Sequence, residues 1–265
     1  MSGPIPLSEL QLGLAALLLL FDGLLSIALG LKLERRILIA TIRATVQLFI
    51  LGWVLVPIFS LKHPALVLLI CAVLLFNAGR ESVRRVGYSY QGMTLHAVGS
   101  MALSGGGTAV VATTVLIGVD PWYDPQYLIP LVGMILGNAL TGVSLGLDRA
   151  LSLLFDRKNR VEALLSFGAT PWEASREIAS ESIRTGMIPI INAMSAVGLV
   201  SIPGMMTGQI LGGTPPVQAA RYQLLILFLI AGAVGLGTTL AVLGAIHHAF
   251  DEAQRLRLDR FSKKG

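Results

Sequence analysis

Eight polar side chains stand inside otherwise apolar runs of this sequence: Asp22, Arg43, Gln47, Asn77, His96, Asn138, Asn192 and Gln209. Polar groups at membrane depth are costly to hold there, so each needs a chemical reason. One reason is an interhelical hydrogen bond worth about 1 kcal/mol, which accounts for any of them taken singly. The other is a pathway for a polar solute. Pro203-Gly204 and the adjacent Met205 and Met206 are candidates to line it, because a helix break in a span is tolerated against protein or a cavity. Arg43 has a competing account: a long cationic stem reaches the headgroups from one or two turns inside a span. The ligand inventory for a metal is thin. Hard cations take oxygen, borderline ones accept imidazole and thioethers suit softer ions. The spans offer one carboxylate, Asp22, one imidazole, His96, and the thioethers of Met134, Met187, Met194, Met205 and Met206, whose ordinary role is packing. Transport needs only weak, transient ligation, so a metal ion or a metal chelate stays open as a substrate, and so does an organic one.

Other chemistry is excluded more firmly. No G-x-x-x-x-G-K-[ST] loop exists to cradle phosphates, so any ATP and Mg²⁺ belong to another polypeptide and the chain itself carries no cofactor. Leu103-Ser104-Gly105-Gly106 imitates an ATPase signature but lies in an apolar run with no Walker motif. Cys71 is the one cysteine, which rules out a disulfide framework and a zinc cluster within the chain. No serine–histidine–carboxylate arrangement indicates an enzyme.

The longest polar stretch, 148–184, carries a different kind of signal. A short helix bearing Glu162 and Ala163 should stop at Gly168, which takes a left-handed cap without a Cβ penalty. After Ala169 a second helix should start, with Thr170 as N-cap, Pro171 at the first helical position and Glu173 completing a capping box. The expected product is a rigid helix–turn–helix. It serves either as a plain amphipathic connector or as a docking element.

Two resemblances attach to these residues. Glu162-Ala163, then Gly168-Ala169-Thr170-Pro171, then Ile183 and Ile188-Pro189 look like the EAA loop of ABC importer-type permeases, whose short helix docks in a cleft of the ATPase; Leu164 stands where that pattern usually has Ala. The motifs IRATVQL at 42–48, FNA at 76–78, GMILGNA at 133–139 and VGLVSIPGMMTG at 197–208 together resemble the FetB (YbbM) permease family over most of the chain. That resemblance implies the membrane subunit of a metal exporter, chiefly for iron, acting with a separate ATPase of the FetA type; plant relatives are linked to aluminium tolerance. It further implies a homodimer, because ABC ATPases act as pairs and one chain supplies one coupling helix, and it implies that Arg43, Gln47, Asn77, Asn138 and Asn192, which recur in the family-like motifs, line the pathway. An ATP-independent carrier or channel, and a membrane scaffold or membrane-embedded enzyme, are the competing classes, in which 148–184 is only a linker.

The elements that must position these residues are set by composition. With 54% hydrophobic and 13% charged residues and a mean hydropathy of +0.74, the chain has too little polar surface for a soluble fold. A multi-pass all-α membrane protein follows, and the resemblance implies that the membrane is the bacterial plasma (inner) membrane. The apolar runs are continuous, unlike the alternation of a barrel. Seven segments are expected, at 7–30, 37–59, 64–79, 92–118, 126–147, 186–212 and 218–246, forming one permease domain over 1–265 with a coupling region at 148–184 and a tail at 247–265. With the N-terminus outside and the C-terminus inside, 17 of the 20 Lys and Arg residues fall on the cytoplasmic side. Lys62 and Arg221 fall outside and Arg43 within the second span. The net charge of +5 is therefore a topology signal, helped by anionic lipid, and gives no ground for a nucleic-acid partner. Small-xxx-small pairs at Gly133/Gly137, Gly142/Gly146, Gly204/Gly208 and Gly208/Gly212 are expected to let helices approach closely.

Overall fold

The computed structural model describes residues 8–264; the first residue of the segment expected at 7–30 and the last of the tail lie outside that range. The fold is almost entirely helical. Helix α1 (Glu9–Ala28) is opened by a capping box between Ser8 and Gln11. It turns into α2 (Glu34–Leu61) around the Ser26 hydroxyl, which donates to the Glu34 carboxylate (2.9 Å) and accepts from the Leu33 N–H (2.8 Å). Helix α3 (Pro64–Arg84) starts with proline at its first position, where the missing N–H costs nothing. A short strand, β1 (Tyr88–Tyr90), follows.

The next membrane segment is continuous but irregular. Helices α4 (Met93–Met101) and α5 (Gly107–Val111) are separated and followed by π-helical turns at Ala102–Gly106 and Ala112–Leu116. Hydroxyls occupy the distorted ladder: Ser104 Oγ donates to the Ser100 carbonyl (2.7 Å) and Thr114 Oγ1 to that of Val110 (2.7 Å). The first π turn holds the signature-like sequence noted above, and packing explains it. Ser104 presses on Gly237, where a Cβ would stand 2.6 Å from its Oγ, and Gly105 presses on Leu136.

Helix α6 (Pro125–Asp156) is the centre of the bundle. It carries the segment expected at 126–147 straight on into the polar stretch. Two helices at that end, α7 (Lys158–Ser166) and α8 (Pro171–Ala196), lead through an unwound stretch to α9 (Gly204–Leu211) and α10 (Pro216–His248). Strand β2 (Phe261–Lys263) then pairs antiparallel with β1, a tie to the tail that no local pattern in the sequence announces.

Among the described residues, six helices are long and apolar enough to cross a membrane: α1, α2, α3, the α4–α5 segment, α6 and α10. The expected segment 186–212 is not a seventh continuous one. Helix α8 stops at Ala196, 197–203 is unwound, and α9 has only eight residues. The break has a local cause: Gly198 sits at φ +82, and Pro203 can neither donate to a ladder nor leave Ile202 helical.

The tight packing lies where α6, α8 and α10 cross. At Gly142 a Cβ would meet Val234 at 2.7 Å and Thr238 at 2.8 Å, and at Gly146 it would meet Thr238 at 2.7 Å. The small-xxx-small reading holds for this pair. It fails within the chain for Gly133/Gly137 and Gly204/Gly208, whose Cβ positions meet nothing within 4 Å, while Gly212 approaches only the carbonyls of its own helix. Those faces are open. Helices α1 and α2 are likewise uncovered over almost all of their length.

The end of the bundle opposite α7 is fastened by one ion pair. Asp124, largely buried, caps α6 by accepting from the Gln126 N–H (3.0 Å) and takes a second bond from Lys62 Nζ (2.8 Å). The Lys62 ammonium holds the Asp124 carboxyl below the ordinary carboxylate range. Asp124→Ala is expected to lower stability by about 1–2 kcal/mol through the lost cap. A depressed carboxylate contributes fully above its unfolded value and loses that contribution as pH falls through the folded one. Thermal melts of wild type and variant should therefore converge as the medium is acidified.

Candidate functional site

The polar hairpin between α6 and α8 is built from local rules that can be checked bond by bond. Helix α7 ends in a Schellman motif. Gly168 takes φ +90, its N–H donates to Leu165 O (3.0 Å), and the Ala169 N–H donates to Leu164 O (3.0 Å). Two residues later Thr170 caps α8. Its Oγ1 accepts from the Glu173 N–H (3.3 Å), and Glu173 Oε2 accepts from the Thr170 N–H (2.8 Å). The Thr170 N–H, with the Thr170 hydroxyl donating to the same Oε2 (2.8 Å), holds the Glu173 carboxyl below its ordinary range. Glu162 and Ala163 thus lie on α7, Gly168, Ala169 and Thr170 form the turn after it, and Pro171 opens α8.

A second layer ties the turn to the bundle. Glu177 and Glu181, one turn apart on α8, face three guanidiniums. Arg149 of α6 bonds Glu181, Arg157 bridges Glu181 (2.7 Å) and Glu177 (3.2 Å), and Arg160 of α7 reaches Glu177 (2.6 Å). Arg149 is the main reason the Glu181 carboxyl lies below its usual range, with Arg157 adding to it. An isolated exposed pair adds little, but a network of forked pairs between three helices restricts their relative motion. Val161 is buried beneath it.

The tip of the hairpin is apolar and uncovered. Phe167 is 89% exposed and Trp172 51% exposed, on either side of the 168–171 turn. The sequence motifs single out neither these aromatics nor the two glutamates. The available signal is an aromatic residue beside a C-cap glycine in a stretch otherwise rich in charge.

The membrane-depth candidates are dispersed by comparison. Arg43 and Gln47 lie one turn apart on α2, both exposed, and Arg43 makes no ion pair among the described residues. Asn77 and Asn138 are also exposed. Each turns its amide back on its own helix, Asn77 Nδ2 donating to Val73 O (2.8 Å) and Asn138 Nδ2 to Met134 O (2.9 Å), which leaves both Oδ1 atoms free. Asn192 is exposed near the end of α8, while Pro203, Gly204, Met205 and Met206 form the break and the start of α9. No side-chain hydrogen bond joins any two of these residues. Among the described residues no group of three His, Cys, Asp or Glu side chains is placed to hold a metal ion.

Comparison with known proteins fits this arrangement. The family model described as "Uncharacterised protein family (UPF0014)" matches residues 9–250. The chain belongs to the UPF0014 family. It is 37% identical to a UPF0014 membrane protein of Synechocystis, over 86% of this chain and 88% of the relative. It is 33% identical to the "Probable iron export permease protein FetB" of Escherichia coli, over 96% of each. A more distant relative, "Protein ALUMINUM SENSITIVE 3" of Arabidopsis thaliana, is 27% identical over 94% of this chain and 89% of its own. No solved structure matches. The resemblance drawn from the motifs is thereby established, and the chain is a multi-pass integral membrane protein with a relative that is named a permease.

Proposed function

We propose that this chain is the membrane-spanning subunit of an ABC transporter that exports iron or another metal ion, driven by a separate ATP-hydrolysing subunit of the FetA type. The observation that carries the proposal is the hairpin: a doubly capped, charge-clamped turn that holds a bare phenylalanine in water. An exposed aromatic on a rigid mount is the usual anchor of a protein interface. The relative named an iron export permease supports metal as the cargo.

The same reading orders the membrane. Gly142, Gly186 and Thr238 meet at one depth, and α8 runs antiparallel to α6 and α10. Beyond Gly186, α8 rises only about 15 Å to Ala196, whereas α10 begins about 33 Å above Thr238. The 197–203 break and α9 fill the difference, so α8 and α9 make a seventh, broken crossing. The N-terminus is then outside, and the C-terminus and hairpin are cytoplasmic, in line with the cation count. The unwound backbone of 197–203, which carries Leu199 at 90% and Val200 at 85% exposure, and the open Gly133/Gly137 face call for cover by a second copy. A homodimer supplies it and presents two hairpins to a pair of ATPase subunits. Arg43, Gln47, Asn77, Asn138, Asn192 and the Pro203-Gly204-Met205-Met206 break then line the pathway between copies. Their sparse donors suit a passing ion or chelate.

The test is co-expression with a FetA-type ATPase, followed by co-purification, ATP turnover and metal uptake into inverted vesicles. A stable complex with metal-stimulated turnover is expected, lost in Gly168→Pro and weakened in Glu162→Lys. ATP-independent uptake with no bound ATPase would instead establish a secondary carrier.

A further inference from the structure

The chain beyond α10 is expected from sequence to be a tail, yet it is folded and fastened at several points. The Arg257 N–H returns to Ala249 O (2.8 Å), and the Asp251 N–H meets Arg255 O (3.1 Å). Gln254 takes the left-handed conformation at φ 58. Asp251 accepts from both the N–H (2.8 Å) and Nε (2.9 Å) of Arg255. The result is a tight hairpin over 251–255. Behind it, Arg260 donates to the carbonyls of His248 (3.2 Å) and Phe250 (3.3 Å), closing the end of α10. Phe261 is buried against Tyr90 and His248. Lys264 Nζ donates to Val83 O at the end of α3 (2.7 Å). An unfastened tail would need none of these bonds.

Their effect is to place the 251–257 segment on both sides of the coupling turn. One groove of about 740 Å³ lies between Glu162, Gly168 and Ala169 on the turn and Ala253, Arg255 and Arg257 on the tail. A second, about 700 Å³, lies between Trp172 and Pro171 and the apolar side chains of Leu243, Ile246 and Phe250. The first is rimmed by charge and the second is walled mostly by carbon. The first runs along Ser166 and Gly168, the chain neighbours of Phe167, and the second begins at Thr170 on the same turn.

We infer that the C-terminal hairpin is the second wall of the ATPase-docking site and sets which ATP-hydrolysing subunit is accepted. The occupant is that subunit, presenting an apolar side chain to the groove beside Trp172 and polar groups to the rim of Arg255 and Arg257. The inference rests on the docking role proposed for the 168–171 turn. It adds a wall that the turn alone lacks. A single helix end is a generic anchor, whereas two grooves of opposite character on a pre-organised frame discriminate between partners.

Labelling of single cysteines separates the two claims. In a Cys71→Ser full-length background, Ala253→Cys and Phe167→Cys are each reacted with a bulky maleimide, in detergent and in lipid vesicles, with and without the co-purified FetA-type ATPase. At an ATPase concentration ten times its Kd, labelling at both positions is expected to slow about tenfold, as occupancy requires. Protection at position 167 with none at 253 overturns the wall while leaving the docking role intact. Protection at neither overturns both. Protection at 253 that appears on entering lipid vesicles, with no ATPase added, assigns the groove to lipid and also overturns the inference.

Discussion

Phe167→Asp is expected to release the ATP-hydrolysing subunit while leaving the permease folded and in the membrane. The ring is 89% exposed, and the structural bonds of Phe167 are those of its N–H to Ala163 O and Leu164 O, which any residue would make. Folding therefore loses little. On docking, a phenylalanine buried from water contributes about 1.5–3 kcal/mol. Aspartate forfeits that and adds the cost of desolvating a carboxylate against the partner. At 1.4 kcal/mol per tenfold, the ATPase affinity should fall by about 100-fold. Phe167→Leu keeps most of the apolar area and should lose less than about tenfold. Titration of the purified permease with the ATPase reads both values, and permease-stimulated ATP turnover should fall in parallel. Unchanged affinity in Phe167→Asp would mean that the tip docks nothing.

That prediction depends on a turn whose geometry is legible in the sequence. Gly168, Thr170, Pro171 and Glu173 act through bonds spanning three to five residues, so their spacing alone dictates the Schellman end, the cap and the capping box. The six long apolar helices are legible for a similar reason, since span length and apolarity are local sums. What stays hidden depends on partners distant in sequence. Glu177 and Glu181 look like ordinary surface charges on α8 until Arg149, Arg157 and Arg160 arrive from two other helices. The tail looks free until Phe261, 171 residues away from Tyr90, completes the pairing of β1 and β2. The break after Ala196 is foreshadowed by Pro203-Gly204, but its full reach needs Gly198 at positive φ. The membrane-depth polar residues stay scattered because the faces that carry them, on α2, α3 and α6, are the ones a single chain leaves uncovered.

Where the chain does cover itself, it does so with almost no clearance, and Gly186→Leu should show it. At Gly186 a Cβ would stand 2.5 Å from the Gly142 carbonyl oxygen and 2.5 Å from Thr238 Cγ2. The first of these obstacles is backbone, so no rotamer change can relieve the clash and α8 would have to move off α6. Alanine already demands such a shift. Leucine adds three more carbons to a site enclosed by α6 and α10, and overpacking of this kind costs about 3 kcal/mol or more. Because α8 also carries Glu177 and Glu181, the displacement would pull the ion-pair clamp apart at the far end of the helix and misplace the coupling turn with it. The expected result is a monodisperse yield in detergent reduced to a small fraction of wild type, with a melting transition lowered by several degrees in whatever protein remains. Gly99→Ala is the control, since its Cβ would meet nothing within 4 Å; it should be neutral or gain up to about 1 kcal/mol from helix propensity. Thr238→Val probes the same crossing from α10. Its buried hydroxyl oxygen has no hydrogen-bond partner, so an isosteric methyl should leave stability unchanged or raise it. A Gly186→Leu protein that melts like wild type would show that the three-helix crossing is not the frame on which the hairpin is mounted.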